Sequence, residues 1–183
     1  MEKISLAKFL QLKKEDLATK IICFPTDTVY GIGALYDDVI AIEKIYKLKN
    51  RSKSKPLVNL CSNVSQIEDL GFKLNHFALD IMNKYWPGAL TIIIQNKEVK
   101  ESFRMPDSKV ALALINRFFI LKTTSVNESG EKELNSYELI YEKFGKEIDY
   151  FITDLEVFSN LPSTVIDISS GEIVVLREGS IKF

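Results

Sequence analysis

Ile21-Ile22-Cys23-Phe24-Pro25-Thr26-Asp27-Thr28-Val29-Tyr30-Gly31-Ile32-Gly33 is the stretch whose reading decides the fold. Residues 21–24 are wholly apolar and read as a short buried strand. Pro25 ends it, because proline has no N–H to give a ladder. Residues 25–33 are polar and carry two glycines, so they read as a loop at the strand's C-terminal end. Towards the N-terminus, Ile4, Leu6, Phe9, Leu10 and Leu17 recur at loosely helical spacing and predict an amphipathic helix over 5–19. Towards the C-terminus, Asp37 or Asp38 caps a helix running to about Asn50. A strand over 56–61, one or two helices in 64–85 and a β-rich segment 90–95 follow. Residues 103–106 are extended, as the residue before a proline prefers. A helix over 110–117, a strand over 118–124, a helix over 136–144 and a strand near 150–153 come next. Residues 164–168 and 173–176 form a hairpin joined by Ser169-Ser170-Gly171-Glu172. Strands and helices mix without strict βαβ alternation, and no linker, repeat or low-complexity tract divides them. The reading is one α/β domain over 1–183, built on a twisted mixed sheet flanked by helices.

The chain has 183 residues, 46% hydrophobic and 27% charged, which is globular composition and excludes collagen and disorder. The longest apolar run, 110–115, falls far short of the roughly 20 residues a membrane span needs. Lysines and acids interrupt every apolar stretch in residues 1–20, so no signal peptide is read there. Two cysteines, Cys23 and Cys61, are too few for a disulfide framework. These features predict a soluble, reduced, cytoplasmic protein with no membrane partner. With Lys+Arg 24 against Asp+Glu 25 the net charge is −1, so an anion site has to come from local clustering. His76 is the only histidine, which argues against a histidine-rich metal site and a Ser-His-Asp triad. Gly31-x-Gly33 lacks the third glycine of a dinucleotide fingerprint, and there is no G-x-x-x-x-G-K-[ST] phosphate loop.

Lys44, Lys47, Lys49, Arg51, Lys53 and Lys55 fall within a stretch that contains no acid. Lys44 and Lys47 read as a solvated helix face. Lys49 differs: at about 100° per residue it shares a stripe with Ile42, Ile45 and Tyr46. A lysine on a buried stripe must either snorkel to water or meet a fixed anion. Arg51, just past the helix end, adds a planar fork suited to phosphate or carboxylate.

Pro25-Thr26-Asp27-Thr28-Val29-Tyr30-Gly31-Ile32-Gly33, then Lys49-x-Arg51 and Lys55-Pro56-Leu57, resemble the YrdC-type threonylcarbamoyl-adenylate synthases. The likeness continues through Trp86-Pro87-Gly88-Ala89-Leu90-Thr91, Arg104-Met105-Pro106 and Ser125-Val126-Asn127-Glu128-Ser129-Gly130. It ends with Pro162-Ser163-Thr164-Val165 and Leu176-Arg177-Glu178-Gly179, so the blocks keep family order from residue 25 to 179. The resemblance implies a single YrdC-like domain whose sheet and helices surround a cationic cavity. It also implies a nucleotidyltransferase reaction in which L-threonine, bicarbonate and ATP give threonylcarbamoyl-AMP and pyrophosphate. Mg²⁺ is expected with the ATP. The product would pass to a tRNA threonylcarbamoyl-transferase complex that modifies adenosine at position 37.

By resemblance, Lys49 and Arg51 are the catalytic cations, and Lys49, Arg51, Lys55, Ser125, Asn127 and Arg177 hold ATP. Thr26, Tyr30, Arg104, Thr123 and Ser163 are the threonine-side positions, with Arg104 clamping the carboxylate. No protein metal ligand is implied. On residue type alone, Arg104 fits a surface salt bridge as well, Tyr30 a core aromatic, and 123–127 a polar strand end with an Asn-Glu-Ser-Gly turn. The chain also departs from the family pattern. Lys49-Asn50-Arg51-Ser52 replaces the usual Lys-Gly-Arg-Pro, and Ser125-Val126-Asn127 replaces Ser-Ala-Asn. Lys100 stands where a nucleotide-contacting threonine is common, residues 116–124 lack the usual Gly-x-Pro, and the chain stops at Phe183 before any C-terminal extension domain. Two other readings stand beside the synthase. One is an RNA-binding, translation-factor-like paralogue that contacts tRNA or double-stranded RNA; the other is carbamoyl transfer of the kind related domains perform in hydrogenase maturation.

Overall fold

A computed structural model describes residues 1–156 and 159–183. Its spine is a ten-stranded mixed sheet in the order β1-β8-β2-β3-β7-β4-β6-β5-β9-β10. The strands are β1 (Glu2–Ile4), β2 (Ile22–Phe24), β3 (Gly31–Leu35), β4 (Val58–Leu60), β5 (Leu90–Asn96), β6 (Val99–Arg104), β7 (Leu121–Ser125), β8 (Tyr150–Ile152), β9 (Thr164–Asp167) and β10 (Val174–Arg177). The helices are α1 (Leu6–Phe9), α2 (Val39–Leu48), α3 (Ser65–Asp69), α4 (His76–Tyr85), α5 (Lys109–Phe118) and α6 (Tyr137–Phe144). The centre is antiparallel, β2–β3–β7–β4, and β4 pairs in parallel with β6. No helix among the described residues is long and apolar enough to cross a membrane.

Side-chain alternation along these strands gives the sheet two unlike faces. On the back, Cys23, Ile32 and Ala34 pack with Ala41 and Ile45 of α2 and Ile140 and Phe144 of α6. Beside them Ile92, Ile94, Phe103 and Ile166 pack with α3 and α4. On the front, Ile22, Phe24, Leu60 and Leu121 pack beneath Leu114, Ile115 and Phe118 of α5. Burying each such side chain stabilises the fold by about 1.5–3 kcal/mol. The helices leave part of the front uncovered.

Two expectations give way. The helix over 5–19 is broken into α1 and a 3₁₀ turn at Lys14–Leu17, and β1 takes up Ile4. The break spans residues 10–13 and ends at Lys13, which caps the 3₁₀ turn and whose backbone N–H donates to Asp16 Oδ2 at 2.9 Å. An acid that captures a nearby backbone donor competes with the helix ladder. The loop over 25–33 ends sooner than its glycines suggest, because Gly31 already pairs with both Phe24 and Ser125. The capped helix and the C-terminal hairpin stand: Asp38 accepts from Ala41 N at 2.9 Å, and β9 and β10 pair antiparallel.

Gly33 is a steric requirement of this sheet. A Cβ there would lie 2.7 Å from Thr123 Cγ2 and 3.1 Å from the Lys122 carbonyl oxygen, whereas one at Gly31 would meet nothing nearer than 3.7 Å. Gly33→Ala should therefore lower stability by about 1–3 kcal/mol in chemical denaturation, and Gly31→Ala by clearly less.

Candidate functional site

The uncovered part of the front face is a cleft of about 660 Å³ including its mouth. Its floor follows from strand register. Gly31 lies opposite Ser125, Val58 opposite Thr123, and Leu60 opposite Arg104, so β3, β7, β4 and β6 present these residues in adjacent rows. Arg51, Tyr30, Ser163 and Arg177 complete the walls. Eight of the expected site residues thus line one cavity: Thr26, Tyr30, Arg51, Arg104, Thr123, Ser125, Ser163 and Arg177. Lys49, Lys55 and Asn127 do not.

Lys49 is 1% exposed and lies behind the wall. Its ammonium donates to the Ser125 carbonyl at 2.5 Å, the Asn127 carbonyl at 2.7 Å and Asn127 Oδ1 at 2.6 Å. Burial, then the charge of Arg51, press its pKa down to about 7. The three oxygens oppose that, since together they call for all three ammonium N–H groups. Asn127 Oδ1 also accepts from Ser125 Oγ at 2.8 Å, and its Nδ2 donates to the Glu131 carbonyl at 2.6 Å. The end of β7 is in this way tied to the end of α2.

α2 ends in a Schellman turn that delivers Arg51. Asn50 takes φ 48°, Arg51 N donates to the Tyr46 carbonyl at 2.9 Å, and Asn50 N donates to the Lys47 carbonyl at 3.0 Å. Asparagine is the residue after glycine that tolerates this left-handed position. Arg51 Nε then donates to the Lys55 carbonyl at 2.7 Å and Nη2 to the Pro56 carbonyl at 3.1 Å. Lys55 serves the site through this carbonyl, its side chain being exposed.

On the other wall, Arg104 Nε donates to the Gly88 carbonyl at 3.1 Å, Nη1 to Thr28 Oγ1 at 2.9 Å, and Nη2 to Asp27 Oδ1. Arg177 Nε and Nη2 donate to the Ser163 carbonyl at 3.1 and 2.7 Å, and Nη2 also reaches Ser163 Oγ at 3.1 Å. Ser163 Oγ lies 2.8 Å from Thr91 Oγ1. Burial lowers the pKa of all three arginines; Arg177 in addition feels the positive charge of Arg51, and Arg104 that of Arg177. Thr26 is turned into its own loop, donating to the Val29 carbonyl at 2.7 Å, and Thr123 Oγ1 donates to the Val58 carbonyl at 3.2 Å. The Tyr30 ring stacks on Phe151 with centroids 5.4 Å apart. Sequence reasoning missed Thr28, Asp27 and Thr91 as partners of the site. All three lie inside quoted motif blocks; nothing local announces contacts 72–77 residues away.

Among the described residues no group of three or more His, Cys, Asp or Glu side chains stands close enough to hold a metal ion. The arrangement suits a polyanion beside a small polar molecule, with guanidinium, hydroxyl and backbone groups as its tools.

The Sua5/YciO/YrdC protein-family model, described as "Telomere recombination", matches residues 17–179. A Methanocaldococcus jannaschii protein provisionally named a threonylcarbamoyl-AMP synthase is 35% identical over 178 residues, which cover 93% of this chain and 84% of that protein. The Bacillus subtilis threonylcarbamoyl-AMP synthase is 32% identical over 174 residues, covering 88% of this chain but 50% of its own length. The crystal structure of Pyrococcus abyssi Sua5 complexed with L-threonine superposes with a TM-score of 0.87 at 28% identity, covering 99% of this chain and 58% of that one.

The buried ammonium gives a first test of the site. Lys49→Met would leave the Ser125 and Asn127 oxygens without their donor, and should lower stability by about 2–4 kcal/mol in urea unfolding. Lys47→Met, on the exposed side of the same turn, should change it by about 0.5 kcal/mol or less.

Proposed function

Because the chain belongs to the Sua5/YciO/YrdC family, we propose that it is an L-threonylcarbamoyladenylate synthase, a nucleotidyltransferase acting on L-threonine, bicarbonate and ATP. The observation that carries this reading is the convergence of Arg51, Arg104 and Arg177, from three separate parts of the chain, on one cleft of a protein with net charge −1. Asp27 offsets one of these charges, and an anion seated between the guanidiniums would relieve the rest.

Two of the five N–H groups of Arg104 remain after its contacts with Gly88, Thr28 and Asp27, enough for a carboxylate fork. Threonine would place its carboxylate there, with Ser163, Thr123, Thr26 and Tyr30 around the rest of the molecule. Its amine and bicarbonate form a carbamate with loss of water. A carbamate oxygen then attacks the α-phosphorus of ATP, and the bond to pyrophosphate breaks. Little covalent work falls to the protein; it positions the reactants and neutralises charge. Arg51 and Arg177 would bind the phosphates, with Ser125 contributing its hydroxyl. Lys49 acts one layer back, through Ser125 and Asn127, and Lys55 acts through the carbonyl that aims Arg51. Mg²⁺ would arrive with the nucleotide and offset part of its negative charge. The product would feed a tRNA threonylcarbamoyl-transferase.

The loop after α2 suits this reading better than a broad RNA-binding face: Lys53 pairs with Glu43, and Arg51 lines the cleft. Pyrophosphate release from ATP should depend on L-threonine and bicarbonate and be much slower with serine. Absence of threonine-dependent release from the folded protein would overturn the proposal. Arg177→Gln, on an exposed strand end, should raise the KM for ATP about tenfold to a hundredfold, the worth of one charged hydrogen bond.

A further inference from the structure

Arg104, which lines the cleft, forms a nearly buried ion pair with Asp27, which sits between the lining residues Thr26 and Thr28; their side-chain exposures are 8% and 14%. The pair is half used. Asp27 Oδ1 accepts from Arg104 Nη2, while Oδ2 accepts no hydrogen bond among the described residues. Arg104 in turn has N–H groups to spare beyond Gly88, Thr28 and Asp27. An unfilled donor fork and an unfilled carboxylate oxygen therefore stand side by side.

The loop that carries Asp27 is rigidly held. Thr26 Oγ1 accepts from Thr28 N at 3.2 Å and from Val29 N at 3.3 Å while donating to the Val29 carbonyl. From outside the loop, Ser159 N donates to the Asp27 carbonyl and Asn160 N to the Thr28 carbonyl, each at 3.0 Å. Asp27 is thus a fixed charge, not an acid free to swing to solvent.

A fixed carboxylate beside Arg104 sets a condition on what Arg104 can bind. A ligand bearing only a carboxylate would meet Arg104 and be repelled by Asp27. A ligand with a positive group next to its carboxylate turns that repulsion into a second attraction. α-Amino acids carry that pair of charges on adjacent atoms; α-hydroxy acids do not. We propose that Asp27 receives the amino group of the amino-acid substrate, so that Arg104 and Asp27 together read a zwitterion. The inference rests on the synthase reading and deepens it by assigning the amine end of the substrate. Asp27 makes no covalent bond in it.

The test is calorimetric titration of L-threonine and of the dihydroxybutanoate in which a hydroxyl replaces the amine. The wild-type protein should bind threonine about tenfold or more tighter than the analogue. Asp27→Asn should close that gap, chiefly by weakening threonine. Because an asparagine leaves Arg104 short of a counter-charge and can unfold the chain, Asp27→Glu is run beside it. It keeps the charge, displaces the free oxygen by one methylene, and should narrow the gap. Equal binding of both ligands by the wild type, or a gap unchanged in the folded variants, overturns the role of Asp27 and leaves the synthase reading standing. A wild-type protein that binds neither ligand overturns the synthase reading, and this inference with it.

Discussion

A lysine ammonium buried to 1% exposure is the constraint on which the rest of the site depends. Removing such a charge from water costs several kcal/mol unless oxygens replace the lost hydration. Here they come from the last residues around β7: the Ser125 carbonyl, the Asn127 carbonyl and Asn127 Oδ1. The end of α2 and the end of β7 must therefore meet, although 76 residues of chain separate Lys49 from Ser125. Once they do, the Ser125 hydroxyl is aimed by Asn127, and the turn that carries Lys49 also carries Arg51 to the cleft. One desolvated charge fixes two walls.

The second constraint is unresolved charge. Arg51, Arg104 and Arg177 approach closely enough that each feels at least one of the others or passes its own charge on to a neighbour. The acids that could relieve them are few. Asp27 gives one carboxylate oxygen to Arg104, and Glu133 offsets Lys49 and Arg177 through its charge alone. Elsewhere the chain pairs its charges in the ordinary way, as Lys143 does with Glu128 and Glu131. Three guanidiniums that the fold crowds around one cleft, with an ion pair at Arg104 alone among the described residues, are a standing field for a polyanion, while the overall charge keeps non-specific attraction low.

Much of this was legible in the sequence where the signal is local. The Asp38 cap, the apolar stripe that carries Lys49 inward and the β9–β10 hairpin all depend on neighbours a few positions away. The stripe told that Lys49 is buried and not what it meets; its partners proved to be the protein's own oxygens. Arg104 was singled out as a carboxylate clamp, but its partner Asp27 lies 77 positions earlier. Nothing in residue type or periodicity marks such a pairing before the sheet is assembled. The same limit explains Gly31–Gly33. Glycines and polar neighbours read as loop, and only the ladder from β2 and β7 makes a strand of them. In residues 5–19 the apolar spacing was real, but it said nothing of the side chain of Asp16, which takes the Lys13 N–H and starts a separate 3₁₀ turn.

The departures from the family pattern do not weigh equally, and the backbone says why. Asn50 replaces a glycine at φ 48°, a conformation asparagine accepts at small cost, so the turn that aims Arg51 survives intact. Phe119 takes φ 72° and ψ −165° at the end of α5, a region that belongs essentially to glycine and costs of order 1–3 kcal/mol for other residues. Its ring is partly buried against the cluster that contains Phe103 and Ile120, and this packing opposes the strain. Neither residue is in the lining of the cleft. Thr123 and Ser125 are held in register by Gly33 and Gly31 on one side, and Val58 holds Thr123 on the other, so the floor is set by strand pairing and not by the turn that leads into it.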